Sequence, residues 1–228
     1  AMEITPPVPM IKKIKKIIRL LSLVCILLPY KGWAQKNIYE NPEFNSISKS
    51  HKTIAILPFK AIVNLGQPIT KENQAALEAS EGIAVQNALE TYFLKAQKRK
   101  RYKVSFQNTK DTNAFLKKKE VSYDNIDVFT TSELCEILKV DAVISGSINL
   151  NVQLSQGLSK EFNLIDYVTG NTKYGRIGIK VSDATTGKLI WKYEKEIDRK
   201  TGKNTQDLIE SMMKQASRKF PYELQSLE

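Results

Sequence analysis

The longest regular pattern in the chain is an alternation of apolar and polar residues over positions 141 to 154, DAVISGSINLNVQL. Alternate side chains of a strand point to opposite faces, so this run predicts a β-strand with one face on the core and one in water. RIGIKVS and KLIWKYEKEI predict two further strands, and YKVSF predicts another. HKTIAILPF is apolar on both faces, which is typical of a central strand, and Pro58 is expected to end it.

Helical periodicity separates these strands. Residues 71 to 98 repeat apolar side chains at helical spacing, and Thr70 is placed to cap their N-terminus. NTKDTNAFLKKK and TTSELCEIL predict shorter helices, the second with Thr130 and Glu133 at capping-box spacing. A last helix is predicted at about 204 to 219. This order predicts an α/β fold, with a single mixed β-sheet of about five strands packed by a long helix and a C-terminal helix.

The first 34 residues carry the pattern of an export signal. Cations at positions 12 to 19 precede an apolar core at 20 to 28, and Gly32 and Ala34 supply small residues before a cleavage point. This layout predicts a secretory signal peptide preceded by vector or early-start residues. The alternative is an uncleaved anchor, although the apolar core is far shorter than the ~20 residues that span a bilayer. We therefore expect an exported protein of the periplasm or the outer-membrane periphery.

Composition divides the rest of the chain. Residues 35 to 50 are polar and aperiodic, which predicts a flexible N-terminal arm, followed by a folded domain over 51 to 221 and a tail at 222 to 228. Residues 1 to 34 hold six of the 35 Lys and Arg and one of the 24 Asp and Glu, so the formal net charge falls from +11 to +6 without them. This balance suits contact with anionic surfaces and gives no reason to expect nucleic acid as a partner.

Candidate catalytic and metal-binding residues are scarce. Cys25 follows the bulky Leu23 and Val24, so lipidation is not expected, and Cys135 fits a buried position in a helix. His51 is the single histidine, too few for a histidine metal site or a histidine-based triad. The sequence thus predicts no catalytic set, no metal, no cofactor and no enzyme. An enzyme acting on cell-wall polymer through carboxylates is the alternative, and it requires clustered acidic residues with raised pKa values.

Gly187 and Lys188 in VSDATTGKLIW invite comparison with a phosphate-binding loop. A Walker loop needs Gly where Ser182 stands, and Ser or Thr where Leu189 stands. The alternation on both sides, together with Asp183 as a turn former, predicts a hairpin turn instead.

Two segments are candidate interaction surfaces. The first is the basic end of the long helix, where cations also complement the helix dipole, so a ligand is not needed to explain them. Anionic lipid or cell-wall polymer is the alternative contact for these cations. The second is the connection over 155 to 175, which is long for a link between strands. The residues chosen from the two segments are Lys98, Arg99, Lys100, Arg101, Phe162 and Tyr167.

KTIAILPF, SELCEILKVDAVISGSI and IKVSDATTGKLIW resemble, in this order, the CsgG-like periplasmic superfamily, which includes the curli channel subunit CsgG, the penicillin-binding-protein activator LpoB and the N-terminal domain of TolB. The resemblance spans about residues 52 to 220. The residues that carry it, with structural roles, are Asp141, Gly146, Asp183, Thr186, Gly187 and Trp191.

This resemblance implies a non-catalytic envelope domain that binds proteins and serves as an assembly or regulatory factor. Its expected partners are unidentified envelope proteins or further copies of itself. A subunit of a ring-forming outer-membrane secretion apparatus is the alternative. The 155 to 175 connection supplies at most one short hairpin for such a role, because a membrane-spanning strand takes ~9–11 residues.

Overall fold

A computed structural model describes residues 38–65, 68–99, 102–151, 154, 173–198, 204–216, 220 and 222. The chain divides into a unit of residues 1–36 and a unit of residues 37–228, and every described residue lies in the second. The predictions of a signal peptide and of vector residues fall outside the described part. Among the described helices, none has the length and apolar character needed to cross a membrane.

The described strands form one seven-stranded mixed sheet in the order β1-β7-β6-β5-β2-β4, with β3 paired to β5 beyond the end of β2. β2 pairs in parallel with β4 and β5, and β3 pairs in parallel with β5. The pairs β5–β6, β6–β7 and β7–β1 are antiparallel. The α/β class with a mixed sheet is confirmed. The two strands beyond the predicted five, β1 and β3, are too short to show an alternation. The strands are Ile38–Glu40 (β1), Thr53–Ile56 (β2), Lys60–Val63 (β3), Ser105–Phe106 (β4), Ala142–Leu150 (β5), Lys173–Asp183 (β6) and Leu189–Asp198 (β7).

Five α-helices accompany the sheet in the described part of the chain. The long helix has the predicted bounds, and its N-cap Thr70 accepts a hydrogen bond from the Asn73 N–H at 3.3 Å. The capping box of Thr130 and Glu133 is also present. The helices are Phe44–Ile47 (α1), Lys71–Lys98 (α2), Thr109–Lys118 (α3), Thr131–Leu138 (α4) and Thr205–Ala216 (α5).

The two faces of the sheet are covered differently. One face packs against α2 and α5, with Ile144 and Ile148 of β5 meeting Leu89 of α2 and Met212 of α5 in the main core. The other face carries a smaller cluster in which Val143 packs with residues of α3 and α4. Burial of one such large apolar side chain contributes about 1.5–3 kcal/mol, so the main core supplies most of the hydrophobic stabilisation.

Residues 38 to 50 do not form a flexible arm, so that prediction is wrong for the described residues. β1 pairs antiparallel with β7, with Ile38 opposite Tyr193. Phe44 is 2% exposed and packs edge-on against Tyr222, with ring centroids 5.4 Å apart. Tyr222 is also 2% exposed, so the folded domain does not stop at residue 221. The polar sequence of residues 38 to 50 gives no sign of these contacts, because the residues they contact lie at the other end of the chain.

Phe59 is fully buried where α2 approaches β5 closely. Its N–H donates to the carbonyl oxygen of Gly82 at 3.3 Å. A Cβ on Gly146 would lie 2.5 Å from the Phe59 ring and would overlap the carbonyl oxygen of Gly178, and a Cβ on Gly82 would overlap the Phe59 carbonyl. Close packing therefore explains why position 146, which belongs to the family-like motif, is occupied by glycine.

Candidate functional site

β2 and β3 are two parts of one parallel strand that is interrupted at residues 57 to 59. Ile56 pairs with Ile144 and Lys60 with Ser147, so four steps along this strand match three steps along β5. The extra residue is a β-bulge, a feature that is frequent beside active sites. Pro58 has no N–H with which to continue the ladder. The prediction that Pro58 follows the end of a strand is confirmed, but pairing with β5 resumes immediately after it.

A cavity of about 280 Å³, which we call the bulge groove, lies over this interruption on the sheet face that carries the smaller cluster. Its other wall is the segment between α3 and α4 together with the start of α4. Part of the lining is apolar and includes Leu57, Pro58, Ile126, Phe129, Leu134 and Val143. The polar part includes Lys60, Tyr123, Asp127, Ser145, Ser147 and Lys180.

Charge in the bulge groove is positive on balance. The Lys60 ammonium lies 3.6 Å from Asp127 Oδ2 and 5.1 Å from the centroid of the Tyr123 ring. Both members of this ion pair are exposed, so the pair is worth at most about 1 kcal/mol and exchanges readily for another partner. Lys180 is exposed on β6 and pairs across the sheet with Ser145. The groove therefore offers two ammonium groups and one carboxylate.

The same sheet face continues beyond the groove, and we call this continuation the open face. Its cross-strand partners include Asn149 with Arg176 and Arg176 with Glu196, and all three side chains are exposed. Ile62, which pairs with Asn149, is 56% exposed, and Tyr39 on β1 is 45% exposed. Apolar side chains of this size are thus in contact with water amid mixed charges.

Asp141, one of the family-like motif residues, lies at the start of β5 and joins three segments. Its Oδ2 accepts hydrogen bonds from the N–H groups of Lys52 at 2.7 Å and Thr53 at 2.8 Å. The N–H of Ala184 donates to the Asp141 carbonyl at 3.0 Å. The carboxylate therefore holds the start of β2, and the backbone carbonyl of the same residue holds the turn that follows β6.

Asp183 lies beside this junction and is 2% exposed. Its Oδ1 is 2.8 Å from His51 Nε2, and its Oδ2 accepts from the N–H and hydroxyl of Thr186, each at 2.6 Å. Burial raises the pKa of Asp183, but the hydrogen bonds from Thr186 and His51 outweigh it, so the pKa lies below its ordinary value. His51 Nδ1 is 2.7 Å from Tyr222 Oη. With Nε2–H donating to an ionised Asp183, a neutral imidazole accepts from the tyrosine hydroxyl.

These four residues form a chain of hydrogen bonds that is buried at Tyr222, His51 and Asp183 and ends at the exposed Thr186. Burial also raises the pKa of Tyr222, so its phenol keeps its proton. Sequence reasoning missed this role of His51, because its partners are 132 and 171 residues away along the chain. Burial raises the pKa of the nearby Cys135 thiol to about 12, which agrees with the prediction of a buried, unreactive side chain.

Gly187 lies in a hairpin turn between β6 and β7, as predicted, and is followed by a strand rather than a helix. Its N–H donates to the Asp183 carbonyl at 3.1 Å, and its φ is +65°. Trp191, on the strand after the turn, is fully buried and meets Phe220 edge-on, with ring centroids 5.3 Å apart. The turn is therefore part of the packing of the domain, and it lacks the strand–loop–helix order of a phosphate-binding loop.

Gly187→Ala is expected to lower the free energy of unfolding by about 1 kcal/mol, because a side chain disfavours positive φ. Space is not the cause, since a Cβ there would have Ser132 Oγ as its nearest neighbour, at 3.6 Å. Gly187→Asn should cost less, since asparagine tolerates this conformation. Urea unfolding of both variants measures the difference, and equal losses would contradict this explanation.

The predicted interaction residues are only partly described. Lys98 and Arg99 are exposed at the end of α2, where Lys98 lies in the last turn and Arg99 is the C-cap. Lys95, one turn earlier, forms a 2.7 Å ion pair with Glu210. Lys100, Arg101, Phe162 and Tyr167 lie outside the described residues. The sequence did not indicate the bulge groove; Pro58 in an otherwise central strand was the available signal.

The direction in which carboxylate pKa values are shifted tests the alternative of an enzyme that acts through carboxylates. Hydrogen bonds lower the pKa values of Glu133, Glu194 and Glu210; their donors are Thr130, Lys192 and Lys95, respectively. With Asp183, every carboxylate in the described ranges whose pKa is shifted is shifted downward. A general acid at neutral pH needs the opposite shift. Over the same ranges, no group of three or more His, Cys, Asp or Glu is arranged to hold a metal ion.

No protein-family model matches the chain, and neither does any curated protein sequence. Several solved structures are similar to it. A lipoprotein of Neisseria meningitidis is 10% identical with a TM-score of 0.42, and the match covers 73% of this chain and 99% of that one. The LpoB C-terminal domain of Escherichia coli is 13% identical with a TM-score of 0.35, over 68% of this chain and 95% of that domain.

A PelC dodecamer from Paraburkholderia phytofirmans is 10% identical with a TM-score of 0.32, over 72% of this chain and 85% of that one. The LpoB domain is thus one of the solved structures that are similar to this chain.

Proposed function

We propose that this protein is a non-catalytic, exported domain of the cell envelope that binds a partner protein and acts as an assembly or regulatory factor. The observation that carries this proposal is the open face, where Ile62 and Tyr39 expose apolar surface among charged side chains. Ile62 lies at one edge of this sheet face and Tyr39 at the other, with β5, β6 and β7 between them, so a partner that contacts both side chains would cover the face. Helices cover the opposite face of the sheet, so docking is proposed on this face alone.

Two further observations support the proposal. The N-terminal pattern of cations, apolar core and small residues is that of a secretory signal. The motif residues that resemble the periplasmic superfamily are engaged in the hydrogen bonds and packing of the fold, as Asp141, Asp183 and Trp191 illustrate. These motif residues support an architecture like that of the superfamily. The choice of partner would then depend on the exposed side chains.

Position-specific photo-crosslinking tests this proposal. The full chain, produced in the cells from which it comes, carries a photoreactive residue at Ile62 or, as a matched control, at Leu94. Leu94 is 45% exposed on α2, the helix that covers the opposite face. We expect a covalent adduct with another protein from position 62 and none from position 94.

The mass of the adduct distinguishes the alternatives. An adduct with the mass of two copies of this chain supports self-association, as the ring-forming alternative requires. Adducts of equal yield from both positions, or none from position 62, contradict docking on the open face.

A further inference from the structure

We propose that the bulge groove binds an acidic peptide segment of the partner, with a carboxylate held by Lys180, Lys60 and the serine hydroxyls and a neighbouring apolar side chain inside the cavity. This inference rests on the proposed function and names the chemistry that the partner presents to the same sheet face. The groove adjoins the open face, since Lys60 and Ile62 belong to the same strand.

The polar side of the groove is arranged to bind an anion. Ser145 pairs across the sheet with Lys180, and Ser147 pairs with Lys60 on the other side of β5. Each cross-strand pair therefore places a hydroxyl beside an ammonium group. Such donors form charge-assisted hydrogen bonds with a carboxylate, which are about twice as strong as neutral ones. Asp127 is the native counter-charge, and its 3.6 Å contact with Lys60 is exposed and exchangeable.

The apolar side of the groove indicates a peptide rather than a polymer of charged sugars. Phe129, Pro58 and Leu57 line a cavity of about 280 Å³ beside the serines and lysines. This volume lies below the ~300–1,000 Å³ of pockets for drug-sized ligands, which suits one large side chain. An acidic polysaccharide presents charge without a large apolar group, whereas a peptide presents both on adjacent residues.

The edge of β3 excludes recognition by strand addition. The Ala61 N–H donates to Tyr123 Oη at 2.6 Å, and the Val63 N–H donates to Glu78 Oε1 at 3.2 Å. Gln74 Nε2 donates to the Val63 carbonyl at 2.6 Å. The outward backbone groups of this edge are therefore occupied by side chains of the protein itself. A partner at this edge must therefore be recognised through its side chains, which is the mode that the groove provides.

Fluorescence anisotropy of a labelled octapeptide of alternating Asp and Leu, titrated with the protein, tests this inference. Matched probes replace Asp by Asn, or Leu by Ser, and vesicles of phosphatidylglycerol test for a membrane surface. We expect saturable binding of the Asp–Leu peptide, at least tenfold tighter than that of either matched peptide. Equal binding of the Asp–Ser peptide, a preference for the vesicles, or no binding at millimolar protein would overturn the inference.

Variants locate the binding site. Lys180→Gln and Lys60→Gln should each weaken binding about tenfold, while Lys98→Gln, which removes an exposed cation from the end of α2, should leave it unchanged. Circular dichroism verifies that the variants fold. Equal losses in all three variants would show a general charge effect and refute the groove. If Ile62 still yields its adduct while the groove variants bind normally, the groove fails and the proposed function stands; if the adduct is also absent, both fail.

Discussion

Gly146→Ala should lower the free energy of unfolding by about 3 kcal/mol, the upper part of the range for adding a carbon to a packed core. The new Cβ would lie 2.5 Å from the Phe59 ring and would overlap the Gly178 carbonyl oxygen. The second clash is the more severe, because the backbone of β6 is held by pairing on both sides and cannot withdraw alone.

Gly178→Ala is the matched control for this prediction. Gly178 lies on the adjacent strand opposite Ser147, and a Cβ there would meet its nearest atom, Glu194 Cγ, at 3.6 Å. Urea unfolding should therefore show a large fall in midpoint for Gly146→Ala and almost none for Gly178→Ala, at similar slopes. If both variants lost the same stability, the loss would come from glycine replacement in the sheet and not from the approach to Phe59.

Asp183→Asn should cost about 3 kcal/mol at pH 7, because hydrogen bonds to a buried charged acceptor are stronger than neutral ones and the substitution leaves donors of His51 and Thr186 poorly satisfied. The amide retains one oxygen, but it cannot accept from both His51 and Thr186 as the carboxylate does. Asp127→Asn, at an exposed carboxylate with a single 3.6 Å ion pair, is the control and should change stability by less than about 1 kcal/mol.

The pH dependence gives an independent test of the same carboxylate. The folded-state pKa of Asp183 is depressed, so its stabilisation is complete above the unfolded-state pKa of about 3.9 and is lost as pH falls through the folded-state pKa. The stability difference between the native protein and Asp183→Asn should therefore be constant near neutrality and shrink below about pH 4. A difference that persists unchanged into acid would show that the carboxylate charge is not what stabilises the junction.

Elements with strong local signals could be predicted from the sequence. α2 has enough turns for its apolar spacing to be clear, and β5 alternates over nine residues. The capping box at Thr130 and the hairpin turn at Gly187 depend on residues within one turn of each other, so their chemistry is visible in a short window. These features define the α/β class without any knowledge of distant contacts.

The candidate site could not be predicted in the same way. The bulge groove depends on a one-residue difference in register between the strand at Ile56–Lys60 and β5, which are far apart in the chain. The burial of His51 depends on Asp183 and Tyr222, and neither partner is suggested by the polar residues around His51. Short edge elements such as β1 likewise acquire their structure from a partner strand, since three residues have no period of their own.

The hydrogen bond between His51 and Tyr222 also has a consequence for the order in which the protein is completed. The two residues are 171 positions apart, so the contact closes nearly the whole domain into one loop. During synthesis the chain emerges from its N-terminus, and β1 and Phe44 appear long before β7 and Tyr222, against which they pack. The N-terminal segment therefore cannot complete its packing until β7 and Tyr222 are available to contact it. Final closure of the domain therefore requires both its first and its last elements.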